Sequence, residues 1–209
     1  TYTLTVGDND QGGTFGGVIK NTSGTLALTK TGSGTLTLTG ANTFTGAVAV
    51  NGGTLHANPG NGASNRAFSY ASGITVNSGA TLVTCANGLF GWNDNQEHPI
   101  TVNSGGILTT DENADVGVGT VTLAGGTLAN VGVNPDYGTW RFDDATDKLA
   151  VTEDSTVTAL NVKFQNGAEI DVSAGKTLSF TGTITDTKNG GVSSVVKTGV
   201  GKLTLTNAN

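Results

Sequence analysis

One short phrase returns along the chain and limits what it can fold into. It reads Val50-Asn-Gly-Gly-Thr-Leu55, Val76-Asn-Ser-Gly-Ala-Thr-Leu82, Val102-Asn-Ser-Gly-Gly-Ile-Leu108 and Leu123-Ala-Gly-Gly-Thr-Leu128, and is paraphrased by Val151-Thr-Glu-Asp-Ser-Thr-Val157 and Val172-Ser-Ala-Gly-Lys-Thr-Leu178. Successive copies start 26, 26, 21, 28 and 21 residues apart, and self-similarity at such periods is the mark of a solenoid coil. Alternation such as Leu36-Thr-Leu38 or Ile74-Thr-Val76 sends every second side chain inward, while β-branched Thr suits the outer pleat. Between the strands, Asn-Gly and Ser-Gly accept the positive φ of a tight corner. Leucine-rich repeats share the period but need a Leu-x-x-Leu-x-Leu signature that is missing here. A β-sandwich would use unrelated strands rather than one recurring turn.

Composition fits an ordered β-rod. Charged residues make up 12% of the chain, against about 25% in an average soluble domain, and Gly is abundant at 33 residues, yet a hydrophobic content of 35% in regular alternation argues for strands rather than disorder. Residues 1–209 are expected to form a single elongated body. The net charge is −6 and the ten basic residues are scattered singly, which leaves no stripe for nucleic acid or anionic lipid. Cys85 stands alone, so no internal disulfide is possible. No apolar run approaches a membrane helix, and Thr1-Tyr-Thr-Leu-Thr-Val6 lacks the features of a signal peptide, so a leader or anchor is expected outside this stretch.

A longer motif is written once in full, Lys30-Thr-Gly-Ser-Gly-Thr-Leu-Thr-Leu-Thr-Gly-Ala-Asn-Thr-Phe-Thr-Gly46. Its opening returns 167 residues later as Lys197-Thr-Gly-Val-Gly-Lys-Leu-Thr-Leu-Thr-Asn-Ala-Asn209. The second copy has Asn207 in place of the glycine and stops where the first continues, so the chain is expected to be a window on a longer repetitive protein. Lys30, Gly32, Gly34, Leu36, Leu38, Gly40, Asn42, Phe44 and Gly46, followed by Val50, Asn51, Gly53 and Leu55, resemble the strand repeat of bacterial autotransporter passenger domains. That resemblance implies a right-handed parallel β-helix, here of about eight coils of roughly 21–28 residues. It also implies a surface-exposed or secreted passenger of a Gram-negative bacterium, held through a barrel outside this window. Its expected work is as a structural stalk with repeat-assisted export and adhesion to glycans or surface proteins, or self-association. The alternatives are a polysaccharide-acting β-helix enzyme and a purely structural surface-layer repeat protein.

Three stretches break the rhythm: 57–73, 85–99 and 131–148. Each follows a Thr-Leu strand, so in a solenoid they leave from nearly the same flank. Phe68, Tyr70, Phe90, Trp92, Tyr137, Trp140, Arg141, Asp143 and Asp144 are the candidate binding residues, because rings offer flat apolar area and carboxylates accept bonds from hydroxyls. The competing reading is that the rings fold back over the solenoid's apolar shoulder.

Asp143, Asp144 and Asp147 beside Arg141, then Asp111, Glu112 and Asp115, are the nearest approach to a glycan-cleaving set, but nothing in their spacing fixes a carboxylate pair. No catalytic residue is assigned, and no protease signature of the Gly-Asp-Ser-Gly kind occurs. His56 and His98 have no second ligand at metal spacing, and Cys85 reads as buried and inert, so neither metal nor cofactor is expected. Asp8-Asn-Asp10 reads as a plain turn rather than a calcium loop. Asn51, Asn77 and Asn103 hold equivalent positions in three coils, which predicts an amide ladder along the rod.

Overall fold

The computed structural model describes residues 1–60, 67–85, 89–90, 98–111, 114–130, 139–185 and 194–206. These residues form a parallel β-solenoid with no helix. Two sheets run the length of the rod with nine strands each, and a third sheet of four strands joins them in the later coils. The nine described rungs agree closely with the expected eight coils; the first two rungs, beginning at Tyr2 and Leu26, and the last, beginning at Val195, lie outside the six copies of the phrase.

Each coil lays one strand on each long sheet, in register with the coil before. In the first sheet Val50, Val76, Val102, Leu123, Val151 and Val172 form one inward column. In the second, Leu36, Leu55, Leu82, Leu108, Leu128, Val157 and Phe180 form another. Nearly all are fully buried, and burial of one such side chain stabilises by roughly 1.5–3 kcal/mol. The columns therefore outweigh any single polar contact on the rod's surface. The phrase without glycine, Val151 to Val157, is accommodated by a register shift between Leu123 and Ala124 and by Ser155, whose hydroxyl accepts from Gly125 N at 3.1 Å.

The third wall changes character along the rod. In the early coils it is an aromatic stack, with ring centroids 6.4 Å apart from Phe44 to Phe68 and again from Phe68 to Phe90. In the later coils it becomes the third sheet, made of Asp115–Gly117, Thr139–Phe142, Asn161–Phe164 and Thr183–Thr185. Phe142 and Phe164 stack there at 4.9 Å. The stretch 131–148 was expected to be irregular, yet Thr139–Phe142 is a core strand whose alternating bulky residues pair with both neighbours.

The most unusual core position is Lys30, which lies in an inward column between Val6 and Val50 and is fully buried. Its ammonium donates to the carbonyls of Thr31 (2.6 Å), Gly32 (3.0 Å) and Gly52 (3.1 Å), so it ties two successive turns together. Burial pushes its pKa down, while the nearby Asp10 carboxylate opposes the fall. Gly32 sits at φ +67°, and a Cβ there would collide with the carbonyl of Gly7. Lys197 makes the same two local bonds, to Thr198 O and Gly199 O, but is exposed.

Lys30→Met keeps the stem and removes the donors, leaving carbonyl acceptors unpaired inside the rod. It is expected to cost about 2–3 kcal/mol and to lower the thermal midpoint by roughly 5–10 °C. Lys197→Met should shift it by less than about 2 °C, since the groups it leaves are wet. Equal shifts for the two variants, measured by circular dichroism melts, would refute the inter-coil role given to Lys30.

Candidate functional site

The stretches 57–73 and 85–99 do lie side by side where they are described. Phe68 N donates to Leu89 O at 3.3 Å, and His98 Nε2 meets Ser69 O at 2.6 Å. Their aromatic residues, however, divide. Phe68, Phe90 and Trp140 are buried at 1%, 3% and 0% exposure, which corrects their assignment to a binding face. They are the solenoid's third wall, and Trp140 also spends its indole N–H on Ala129 O at 2.7 Å. Tyr70 remains outward at 48% exposure. Trp92 and Tyr137 lie outside the described residues.

The acidic cluster around residue 143 is a folded turn. Asp147 is buried, and its Oδ2 accepts from the backbone N–H groups of Asp143 (2.6 Å) and Asp144 (2.9 Å). Asp143 pairs with Arg141 at 3.0 Å and accepts from Gln165 Nε2 at 2.9 Å. Its pKa is raised, chiefly by burial and further by Asp115, with Arg141 and Lys163 pulling the other way. Asp144 is exposed. Asp115 accepts from the Thr139 hydroxyl one rung on. Arg141 and Asp143 are thus committed to each other and to the third sheet.

The three asparagines form a ladder. Asn77 Nδ2 donates to Asn51 Oδ1 at 2.7 Å, and Asn103 Nδ2 to Asn77 Oδ1 at 2.6 Å. On the next rung Ala124 faces Asn103, so the ladder ends there. Asn42, deep in the long motif, makes a different link: its Oδ1 accepts from Ile19 N at 2.9 Å, one coil earlier.

A second cluster brings together residues that none of the sequence motifs had grouped. His56, Cys85 and Asp111 come from three successive coils, and each offers a donor atom within 4.8 Å of the others. His56 Nε2 lies 2.6 Å from Cys85 Sγ. Ala57 pairs with Thr84, and Thr84 with Thr110, so Cys85 and Asp111 follow in register at the same corner. His56 faces outward between the buried Leu55 and Ala57. Cys85 is half-buried rather than buried, and its thiol is pushed up to about 12 by burial and by the Asp111 carboxylate. The signal in the sequence was the 26-residue step from Cys85 to Asp111, one repeat period.

Asn77→Ala breaks both links of the ladder at once. Two half-exposed neutral bonds are worth about 1–2 kcal/mol together, so the midpoint should fall by roughly 2–6 °C; an unchanged midpoint would remove the ladder's stabilising role. For Asp143, a raised folded pKa means that the native state holds the proton more tightly than the unfolded chain, so stability is present at low pH and lost as pH rises through the raised value. Wild-type stability relative to Asp143→Asn should therefore decline as pH rises through and beyond the ordinary carboxylate range. A constant difference across paired denaturant titrations would contradict this.

The regions that carry the motif-specific contacts also match a known repeat. Residues 28–57 and 195–209 match the family model of the passenger-associated-transport-repeat. No curated protein and no solved structure matches the chain. Among the described residues there is no helix long and apolar enough to cross a membrane. The chain thus carries two stretches of the passenger-associated-transport-repeat on a parallel β-solenoid, which fits a segment of an autotransporter passenger.

Proposed function

We propose that this segment is a stiff, non-catalytic stalk of a surface-exposed or secreted passenger of a Gram-negative bacterium, with an adhesive flank. The observation that carries the reading is the use made of the repeat: Lys30, Asn42 and Phe44 each contact a neighbouring coil and Gly32 lets the backbone of one approach closely, and none of them is presented to solvent as a ligand would require. A chain built this way gains stability with every coil added to a finished one, which suits folding from one end as a passenger emerges from its pore. Adhesion falls to the exposed Tyr70 and Asp144 and to the segments of sequence that contain Trp92 and Tyr137, with glycans, surface proteins or a sister passenger as partners. Nucleic acid and lipid are poor partners for a chain of net charge −6. The non-catalytic role rests on the committed bonds of Asp143, Arg141 and Asp147 described above.

Two measurements test this. An epitope inserted at the exposed Ser173-Ala-Gly175 turn of the full gene product should be reached by antibody on intact Gram-negative cells; a tag detected only after lysis overturns the surface assignment. Beads coated with the chain should bind glycan-bearing host matrix. Replacing Tyr70, Trp92 and Tyr137 together by Ala should cut that binding about tenfold or more with an unchanged melt, whereas binding that survives removes the flank from the proposal.

A further inference from the structure

We infer that His56, Cys85 and Asp111 form a binding site for one zinc-class divalent transition-metal ion. The donors are an imidazole nitrogen, a sulfur and a carboxylate oxygen, brought within 4.8 Å of one another by three consecutive rungs. Thiol and imidazole ligands select borderline-soft ions over calcium or magnesium, which take oxygen. Three protein ligands leave a fourth position for water or for a donor from a bound partner.

The arrangement does not suit the nucleophilic alternative. A catalytic cysteine needs its histidine activated and a thiolate favoured, but here the Asp111 carboxylate lies within 4.8 Å of Cys85 Sγ, where its charge disfavours the thiolate. Metal entry resolves that contact: the S–H bond breaks, an Sγ–metal bond forms and the proton leaves to water. With metal–sulfur and metal–nitrogen bonds of about 2.3 and 2.0 Å, a tetrahedral ion holds the two atoms about 3.5 Å apart, against 2.6 Å here. Side-chain rotation of about an ångström opens the site, and the backbone rungs need not move.

The surroundings add a second observation. Thr109 lies in the outward column of His56, two rungs on and two residues before Asp111. Its hydroxyl is buried and has no hydrogen-bond partner among the described residues. A buried hydroxyl ordinarily has one, and a metal-bound water at this corner would supply it. The site also sits at the corner where 57–73 and 85–99 leave the solenoid, so an ion there would pin the base of the flank across three coils.

The test is calorimetric titration of zinc into the reduced, metal-stripped chain without an affinity tag. One ion per chain is expected at micromolar affinity or tighter, and cobalt(II) should give a thiolate-to-metal charge-transfer band. Cys85→Ser, His56→Gln and Asp111→Asn should each weaken binding by more than about 100-fold, since loss of even an outer-shell partner costs 10–100-fold, with far-ultraviolet circular dichroism unchanged. In the unmutated chain, zinc should slow alkylation of Cys85 by iodoacetamide at least tenfold, roughly the occupancy effect of an excess of ion. Absence of stoichiometric uptake, retention of binding in a folded Cys85→Ser variant, or an unchanged alkylation rate in the loaded chain would each overturn the site.

Discussion

Every strand in this molecule can satisfy its backbone only against the coil before it and the coil after it. That in-register parallel pairing is the constraint from which the rest follows, because it fixes which residues share a column. A slip of one residue would turn Leu55 and Leu82 outward and bring His56 and Val83 into the core. The inward columns of Val and Leu make the slip costly, and the glycine turns make the register reachable. Lys30 is the exception that the constraint permits: its charge is buried because adjacent turns bring three carbonyl oxygens to one point.

Stacking also decides what the irregular stretches do. A solenoid with two sheets needs something to close its third side. In the early coils Phe44, Phe68 and Phe90 close it as a column of rings, and in the later coils Trp140, Phe142 and Phe164 close it from a third sheet. The same column logic that orders the Val and Leu residues therefore draws aromatic side chains inward from stretches that break the repeat. What is left at the surface is a short list, with Tyr70 and Asp144 among the described residues.

Much of the scaffold was legible in order of residues. The phrase from Val50 to Leu178 announced the coils, and the step of 26 residues between Asn51, Asn77 and Asn103 announced their ladder, since identical side chains one period apart become neighbours. Thr139–Phe142 was harder to see, for its strand belongs to a sheet that starts midway along the rod. Phe68, Phe90 and Trp140 were misplaced because a ring in a polar, glycine-rich segment looks the same in sequence whether it faces solvent or a shoulder of the core. Burial is a property of what packs beside it.

By itself, then, the sequence determined the parallel coil, its period, its inward apolar face and its asparagine ladder, because each is set by local periodicity and by residues one repeat apart. Tertiary structure alone decided which rings close the third wall, why the motif lysine is buried, and that His56, Cys85 and Asp111 meet. The physical reason is that these groupings depend on phase within a coil as well as on period. His56 and Cys85 are 29 residues apart, off the 26-residue step, and meet only because Cys85 follows a strand end while His56 faces outward two residues before the matching corner.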